Sequence, residues 1–221
     1  VPPLSANATN TFASWAGYLS GTYALRAELS AHKPALPLVL LISFVGGMLG
    51  AWLLLQTPDS KFREAIPWLL LFASVLFIFG EKINRSLRRL TENRHYAKRF
   101  GWVLLVLLLL VICIYGGFFN AGLGIITLSY LALAGYTNIN AMNALKLLVS
   151  SAVSLTAIIL FINDGMIAWH QGLVVMLGTL VGGFIAAHIS KQISQYYVRG
   201  FVIFASCAMT GYFFVATYYP L

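Results

Sequence analysis

Charge is scarce in this chain of 221 residues. Only 9% of the residues are charged, and just six of them are acidic. Apolar residues make up 60% of the sequence, so a water-soluble domain of this size would have too little polar surface to cover it. This composition is typical of a protein that is surrounded mainly by lipid.

Motifs for catalysis and for metal binding are also missing. There is no His-Glu-x-x-His, no Gly-x-Ser-x-Gly, no Walker loop and no pair of intramembrane aspartates. The four histidines are scattered without the spacing of a metal site. The two cysteines, Cys113 and Cys207, fall within apolar segments, where packing is the default role. We therefore expect no enzyme, no metal and no cofactor.

What the chain does contain is a series of long apolar runs. Each has about the 20 residues that a helix needs to cross the hydrocarbon core, and helices satisfy their own backbone in lipid. The sequence therefore predicts an all-α polytopic transmembrane helical bundle. The predicted helices cover residues 7–25, 35–56, 66–80, 100–119, 123–134, 140–162, 171–190 and 197–218.

Basic residues cluster between two of these runs. Residues 81–99 hold seven of the fourteen Lys and Arg residues, which is typical of a cytoplasmic loop beside anionic lipid. If the short segment 123–134 crosses the membrane as a half helix, eleven basic residues lie on the cytoplasmic side and two on the opposite side. We find no nucleic-acid recognition motif, so we expect no nucleic-acid partner. The sequence does not decide whether 123–134 crosses or re-enters.

The two halves of the chain resemble one another. Residues 7–11 and 140–144 have similar sequences, and the next long span carries a glycine pair in both copies, at 46–47 and 182–183. Glycine pairs have a simpler role in close helix packing. The whole pattern nevertheless favours two inverted, pseudo-symmetric repeats, a common construction of secondary transporters with the substrate bound between them.

These comparisons divide the chain into three parts. Residues 1–80 form the first transmembrane repeat, residues 81–99 a basic cytoplasmic loop, and residues 100–221 the second repeat. The first repeat has no counterpart of the glycine-rich segment at 116–124, and the chain does not begin with Met. We expect residues before Val1.

The glycine-rich run at 116–124 lies between a long and a short apolar segment. Glycine allows a helix to break at membrane depth, where a half helix starting near Leu123 would point its positive end at an anion. An ordinary extramembrane turn is the alternative. Candidate binding residues in this run are Gly117, Asn120, Gly122 and Gly124.

Lys146 is the one ionisable residue well inside an apolar run. Such a lysine costs about 2.5–3.5 kcal/mol on insertion scales, and it indicates a functional site unless it snorkels to the headgroups. Asn143 shares its helix face, whereas Asn140 joins it only if the helix starts irregularly. We predict that these residues bind a small anion, faced from the first repeat by Asn7, Thr9 and Asn10.

The motifs together resemble the TauE/SafE family of permeases, the sulfite exporter group. The resemblance rests on Gly-Gly-Phe-Phe-Asn-Ala-Gly-Leu-Gly at 116–124, Asn-Ala-Leu-Lys at 143–146 and the glycine pair of each half, and it spans essentially the whole chain. The missing first glycine-rich helix departs from the family pattern. The resemblance implies a permease in the bacterial inner membrane for sulfite, a sulfonate or a related organosulfur compound.

Two alternatives to a secondary transporter remain. One is an anion channel or passive pore of the same fold. The other is a membrane scaffold subunit that binds a partner through its basic loop, for which Lys146 would be dispensable and Arg88 and Arg89 would not.

Active transport would need a gradient of protons or sodium ions, because the chain has no nucleotide-binding loop. The anion, the direction of transport, the coupling ion and the oligomeric state are not decided by the sequence.

Overall fold

The structure, a computed structural model, describes residues 1–30, 36–91, 98–190 and 195–219. The elements within these ranges are α-helices: α1 (Pro3–Ala24), α2 (Arg26–Ser30), α3 (Leu36–Leu55), α4 (Asp59–Thr91), α5 (Lys98–Phe118), α6 (Leu123–Leu133), α7 (Ile139–Asn163), α8 (Trp169–Ser190) and α9 (Gln195–Tyr218). The predicted all-α class is confirmed.

Several helices match the dimensions of a bilayer. Four stretches of the described chain are long and apolar enough to cross a membrane by length and composition: Leu36–Leu55, Gly101–Phe118, Ile139–Asn163 and Gly200–Tyr218. Helix α6 has only 11 residues, or roughly 16 Å, about half of the hydrocarbon thickness. The chain is a multi-pass helical membrane protein.

One predicted segment is much longer than expected. The span predicted at 66–80 is part of α4, which begins at Asp59 and continues to Thr91. Residues 81–91 are therefore helical rather than loop, because Arg and Lys are good helix formers and a charge cluster does not end a helix by itself. Residues 92–97 of the predicted loop lie outside the described residues.

The other two basic connections are described only in part. Helix α2, Arg26–Ser30, occupies the start of the predicted loop 26–34. Residues 31–35 and 191–194 lie outside the described part of the chain.

Helices α1 and α7 run antiparallel at the centre of the bundle. Trp15 Nε1 on α1 donates to the Ser151 carbonyl on α7 at 3.1 Å. Near the C-terminal end of α1, Gly21 contacts Leu147, while nearer its start Thr9 Oγ1 accepts from the backbone of Ala168, beyond the end of α7. Most of the apolar stretch of α7 is buried in the bundle, whereas almost all of that of α9 is not, so α7 is central and α9 peripheral.

The first glycine pair brings α3 close to two neighbours. A Cβ at Gly46 would collide with the Cys113 side chain on α5, and a Cβ at Gly47 would lie 2.7 Å from the Val153 carbonyl oxygen on α7. Small residues at these positions therefore set the helix separation. The second pair differs, because a Cβ at Gly182 would meet nothing within 4 Å in the described part of the bundle. The packing role predicted for both pairs is wrong for Gly182.

Helix α9 packs on α4. Trp68 Nε1 donates to the Tyr218 hydroxyl at 2.9 Å, and further along the pair the Ser74 and Thr210 hydroxyls lie 3.3 Å apart. Pro67 interrupts the backbone ladder of α4 at this end of the helix.

Candidate functional site

The chain reverses direction between α5 and α6 inside the protein. Helix α5 ends at Phe118, α6 begins at Leu123, and Gly122 between them has a φ of 80°, which strains any residue with a Cβ. Phe119 and Asn120 are only 7% and 6% exposed. The predicted break within 116–124 is confirmed, and these residues are buried rather than part of an exposed turn.

Neighbouring side chains donate hydrogen bonds to backbone carbonyl groups at the break between the two helices. Asn7 Nδ2 on α1 donates to the Phe118 carbonyl at 3.1 Å, and the Tyr115 hydroxyl donates to the Ala121 carbonyl at 2.8 Å. The Phe62 ring of α4 packs edge-on against Phe119. Irregular backbone is tolerated in a membrane protein where protein or a cavity covers it, and these contacts provide that cover.

A cavity of about 270 Å³ lies beside the break, between α1, the start of α6 and α7. Its lining is mostly polar or small, with one cation and two hydroxyl groups. The lining residues are Asn10, Tyr18, Asn120, Ala121, Gly122, Gly124, Lys146, Leu147 and Ser150.

Lys146 projects from α7 into this cavity. Its side chain is half-buried, and Nζ donates to Asn143 Oδ1 at 3.1 Å, a neutral partner one turn away. The ion pair found among the described residues is Lys61–Glu64 on the surface of α4, so no described carboxylate neutralises Lys146. Gly124 leaves room for the lysine stem, because a Cβ there would lie 3.3 Å from Lys146 Cδ.

Asn120 provides the second unusual feature. Both polar atoms of its buried amide lack a hydrogen-bond partner within the described chain. The Tyr18 side chain lies close enough to Asn120 to interact with it electrostatically, but the pair does not meet the geometry of a hydrogen bond. A buried amide without a partner costs about 1–3 kcal/mol, so a ligand that binds it recovers free energy.

The N-terminal end of α6 adds positive potential to the cavity. Gly122, which precedes the helix as its N-cap, and Gly124 in its first turn line the wall, and the first N–H groups of a helix carry about half of a positive charge. Lys146 lies next to this end. Two neighbouring sources of positive potential without a counter-charge favour a bound anion.

The cavity brings five of the predicted site residues together: Asn10, Asn120, Gly122, Gly124 and Lys146. Asn143 takes part through its hydrogen bond to the lysine.

Four predicted site residues lie elsewhere. Asn140 is exposed in the first turn of α7, where its backbone N–H donates to the Asn138 cap at 2.9 Å. Gly117 packs against the Gly47 carbonyl, Thr9 accepts from the Ala168 backbone, and Asn7 supports the break. In the structure these four residues have fold contacts and do not line the cavity.

Tyr18 and Ser150 line the cavity but were not predicted. Polar residues recur at helical spacing on α1, at Asn10, Ser14 and Tyr18, and Ser150 follows Lys146 by one turn on α7. This periodicity was available in the sequence. No group of three or more His, Cys, Asp and Glu residues that could hold a metal occurs in the described ranges.

Comparison with known proteins places the chain in a family. Residues 1–213 match the profile of the family described as "Sulfite exporter TauE/SafE". The chain is 26% identical over 213 residues to a "Probable membrane transporter protein" of Haemophilus influenzae, covering 96% of this chain and 80% of that protein. It is also 26% identical over 216 residues to "Probable membrane transporter protein YfcA" of Escherichia coli K12, covering 95% and 75%.

A third relative has the same level of identity. "Probable membrane transporter protein ORF9" of Sinorhizobium is 26% identical over 212 residues, covering 95% of this chain and 77% of that protein. No solved structure matches the chain. Because the family profile covers nearly the whole chain, this protein belongs to the sulfite exporter TauE/SafE family.

Proposed function

We propose that this chain is a secondary transporter that binds a small anion in the cavity beside Lys146. The observation that carries the proposal is a half-buried lysine whose hydrogen-bond partner is the neutral amide of Asn143, with no carboxylate to neutralise it in the described chain. An intramembrane ionisable group is expensive and is a functional-site hypothesis by default. An anion would neutralise Lys146 and also hydrogen-bond the free Asn120 amide.

The size of the cavity supports a small substrate. Its volume of about 270 Å³ lies just below the roughly 300–1,000 Å³ of pockets for drug-sized ligands. Sulfite, a short sulfonate or a related organosulfur anion is the proposed substrate, since the family description names sulfite. The protein would bind and move this anion without changing it chemically.

The pattern of helix packing supports alternating access between two repeats. Helices α1 and α7 pack on each other, α1 also packs on α8, and α7 also packs on α3. Exchanging α1 with α7 and α3 with α8 reproduces these pairs, as a two-fold relation between inverted repeats requires. If α4 is likewise exchanged with α9, their packed pair is unchanged.

The proposed cellular location follows from charge and from the relatives. The named relatives come from bacteria, and the eleven-to-two distribution of basic residues favours a cytoplasmic location for residues 81–99. We therefore propose the bacterial inner membrane. Protons and sodium ions are both candidates for the coupling ion.

Counterflow in proteoliposomes tests transport against a passive pore. Vesicles preloaded with unlabelled sulfite should accumulate radiolabelled sulfite transiently above its external concentration, because a carrier exchanges bound anions. Flux should also saturate with substrate. Linear flux without counterflow would identify a channel, and no flux above protein-free vesicles for sulfite or a short sulfonate would contradict the proposed substrate class.

A further inference from the structure

The buried amide of Asn120 offers a ligand two groups of opposite kind. Its side chain is only 6% exposed and lines the Lys146 cavity, and both its donor Nδ2 and its acceptor Oδ1 lack a hydrogen-bond partner within the described residues. Because both atoms are unpaired, a flip that exchanges the amide nitrogen and oxygen leaves the same two groups. The cavity therefore presents an unpaired donor and an unpaired acceptor side by side.

A fully deprotonated anion can satisfy only one of these two groups. The oxygens of sulfite or of a simple sulfonate accept hydrogen bonds, so they match Nδ2 of Asn120 and the ammonium group of Lys146, which has donors beyond the one it uses for Asn143. Such an anion has nothing to donate to Asn120 Oδ1. If it displaces water from that oxygen, the oxygen stays buried and unpaired, and the anion binds less tightly.

The other polar side chains of the lining do not make this distinction. The hydroxyl groups of Tyr18 and Ser150 both donate and accept, so they suit a ligand with or without a donor. Asn10 is exposed, so water can pair with its amide. Asn120 is therefore the lining residue whose buried acceptor depends on a donor from the ligand.

The charges around the cavity indicate that this donor is neutral. The lining includes no Asp or Glu among the described residues, while Lys146 and the N-terminal end of α6 both add positive potential. An ammonium group on the ligand would be repelled by both and would have no carboxylate to pair with. A hydroxyl or an acid O–H donates to Asn120 Oδ1 without adding positive charge.

We propose that the anion bound in this cavity carries a neutral O–H donor and that Asn120 recognises this group. The inference rests on the proposed anion site at Lys146 and narrows its substrate class. Two kinds of molecule share this chemistry: hydrogen sulfite, with an acid O–H, and a hydroxyalkanesulfonate, with an alcohol O–H. Lys146 binds the charged oxygens, Asn120 Nδ2 donates to one oxygen of the ligand, and Asn120 Oδ1 accepts from its O–H.

Binding of matched anions to the purified full-length protein in detergent tests this donor directly. Hydrogen sulfite, at mildly acidic pH, is compared with methanesulfonate, and 2-hydroxyethanesulfonate is compared with ethanesulfonate. The affinity of each anion follows from the rise of Tm with its concentration. In at least one pair the anion with the O–H should bind at least about fivefold more tightly. The pair that shows the preference tells an acid O–H from an alcohol O–H.

A third comparison and two variants assign the preference to Asn120. Because its donor is an ammonium group, 2-aminoethanesulfonate should bind more weakly than 2-hydroxyethanesulfonate. Asn120→Leu keeps the side-chain size and removes both amide groups, so the two anions of each pair should then bind equally. Lys61→Gln is the control, since this exposed lysine pairs with Glu64, and it should keep the wild-type preference.

Equal wild-type affinities within both pairs would overturn the inference. A preference that persists in Asn120→Leu, or tighter binding of 2-aminoethanesulfonate, would also overturn it. If the paired anions bind equally and Lys146→Ala abolishes their binding, the proposed function stands without the O–H donor. If none of the anions binds, or if Lys146→Ala binds them like the wild type, the anion site itself is wrong and the inference fails with it. The two failures are therefore distinguishable.

Discussion

Two asparagines near the break differ in their hydrogen bonding. Asn7 donates a 3.1 Å hydrogen bond to the Phe118 carbonyl, so it contributes to the fold. Asn120 is 6% exposed and makes no hydrogen bond with the described residues, so burial of its amide costs free energy. This contrast separates a structural residue from a proposed ligand.

Asn120→Leu should weaken transport without weakening the fold. The substitution removes an unpaired amide and keeps the side-chain size, so the melting temperature in detergent should stay the same or rise, while KM for sulfite rises by about tenfold. Asn7→Leu is the matched control. It should lower the melting temperature, because it removes a hydrogen bond worth about 1 kcal/mol and leaves the Phe118 carbonyl without that partner. A large loss of stability with wild-type KM in Asn120→Leu would assign Asn120 a purely structural role.

The place of Lys146 beside the cavity was predictable because a charge in an apolar run is conspicuous, and that of Asn143 because residues three apart share a helix face. The place of Asn140 was not, because it depends on where α7 starts: Asn138 caps that helix, so Asn140 lies in its exposed first turn. Tyr18 was not expected at the cavity because an aromatic residue in a helix is ordinarily a packing residue. The roles of these residues in binding stay predictions.

At the scale of elements, the two glycine pairs have unequal roles. Gly47 on α3 has no space for a Cβ against Val153, while Gly182 on α8 faces open space in the described part of the bundle. The sequence similarity of the pairs did not reveal this difference, because packing depends on which helix lies opposite. The break at 119–122 was predictable, since glycine and asparagine mark it locally.

Gly47→Ala should destabilise the protein and Gly182→Ala should not. The methyl group at position 47 would force α3 and α7 apart at a cost of about 1–3 kcal/mol, whereas at position 182 it meets no neighbour among the described residues. Thermal melting of the purified variants in detergent would show the difference. Equal melting temperatures would mean that α3 and α7 do not pack as closely as described.

At the scale of the whole molecule, an inverted arrangement depends on the direction of each helix. The antiparallel pair of α1 and α7 lies at the centre, where α1 also contacts α8 and α7 also contacts α3. The sequence predicted most helix bounds within four residues. It did not predict the continuation of α4 to Thr91, because basic residues indicate the membrane side and not the backbone conformation.

Cysteine labelling tests the inverted arrangement. Arg26→Cys follows α1 and Asp164→Cys follows α7, the first helices of the two proposed repeats, and both positions are exposed. In a Cys207→Ser background an impermeant reagent should label position 164 in intact cells and position 26 only in inside-out vesicles. Labelling of both positions from the same side would contradict inverted repeats.

The central claim is that Lys146 binds the transported anion. The most direct measurement is saturable radiolabelled sulfite flux in proteoliposomes for the wild type, Lys146→Ala and Lys146→Arg, with Lys61→Ala as the control lysine on the surface of α4. We predict that Lys146→Ala loses flux by at least about tenfold, that Lys146→Arg keeps a measurable part because it keeps the charge, and that Lys61→Ala matches the wild type. Wild-type flux in Lys146→Ala would show that the lysine only extends toward the headgroups and that the anion binds elsewhere.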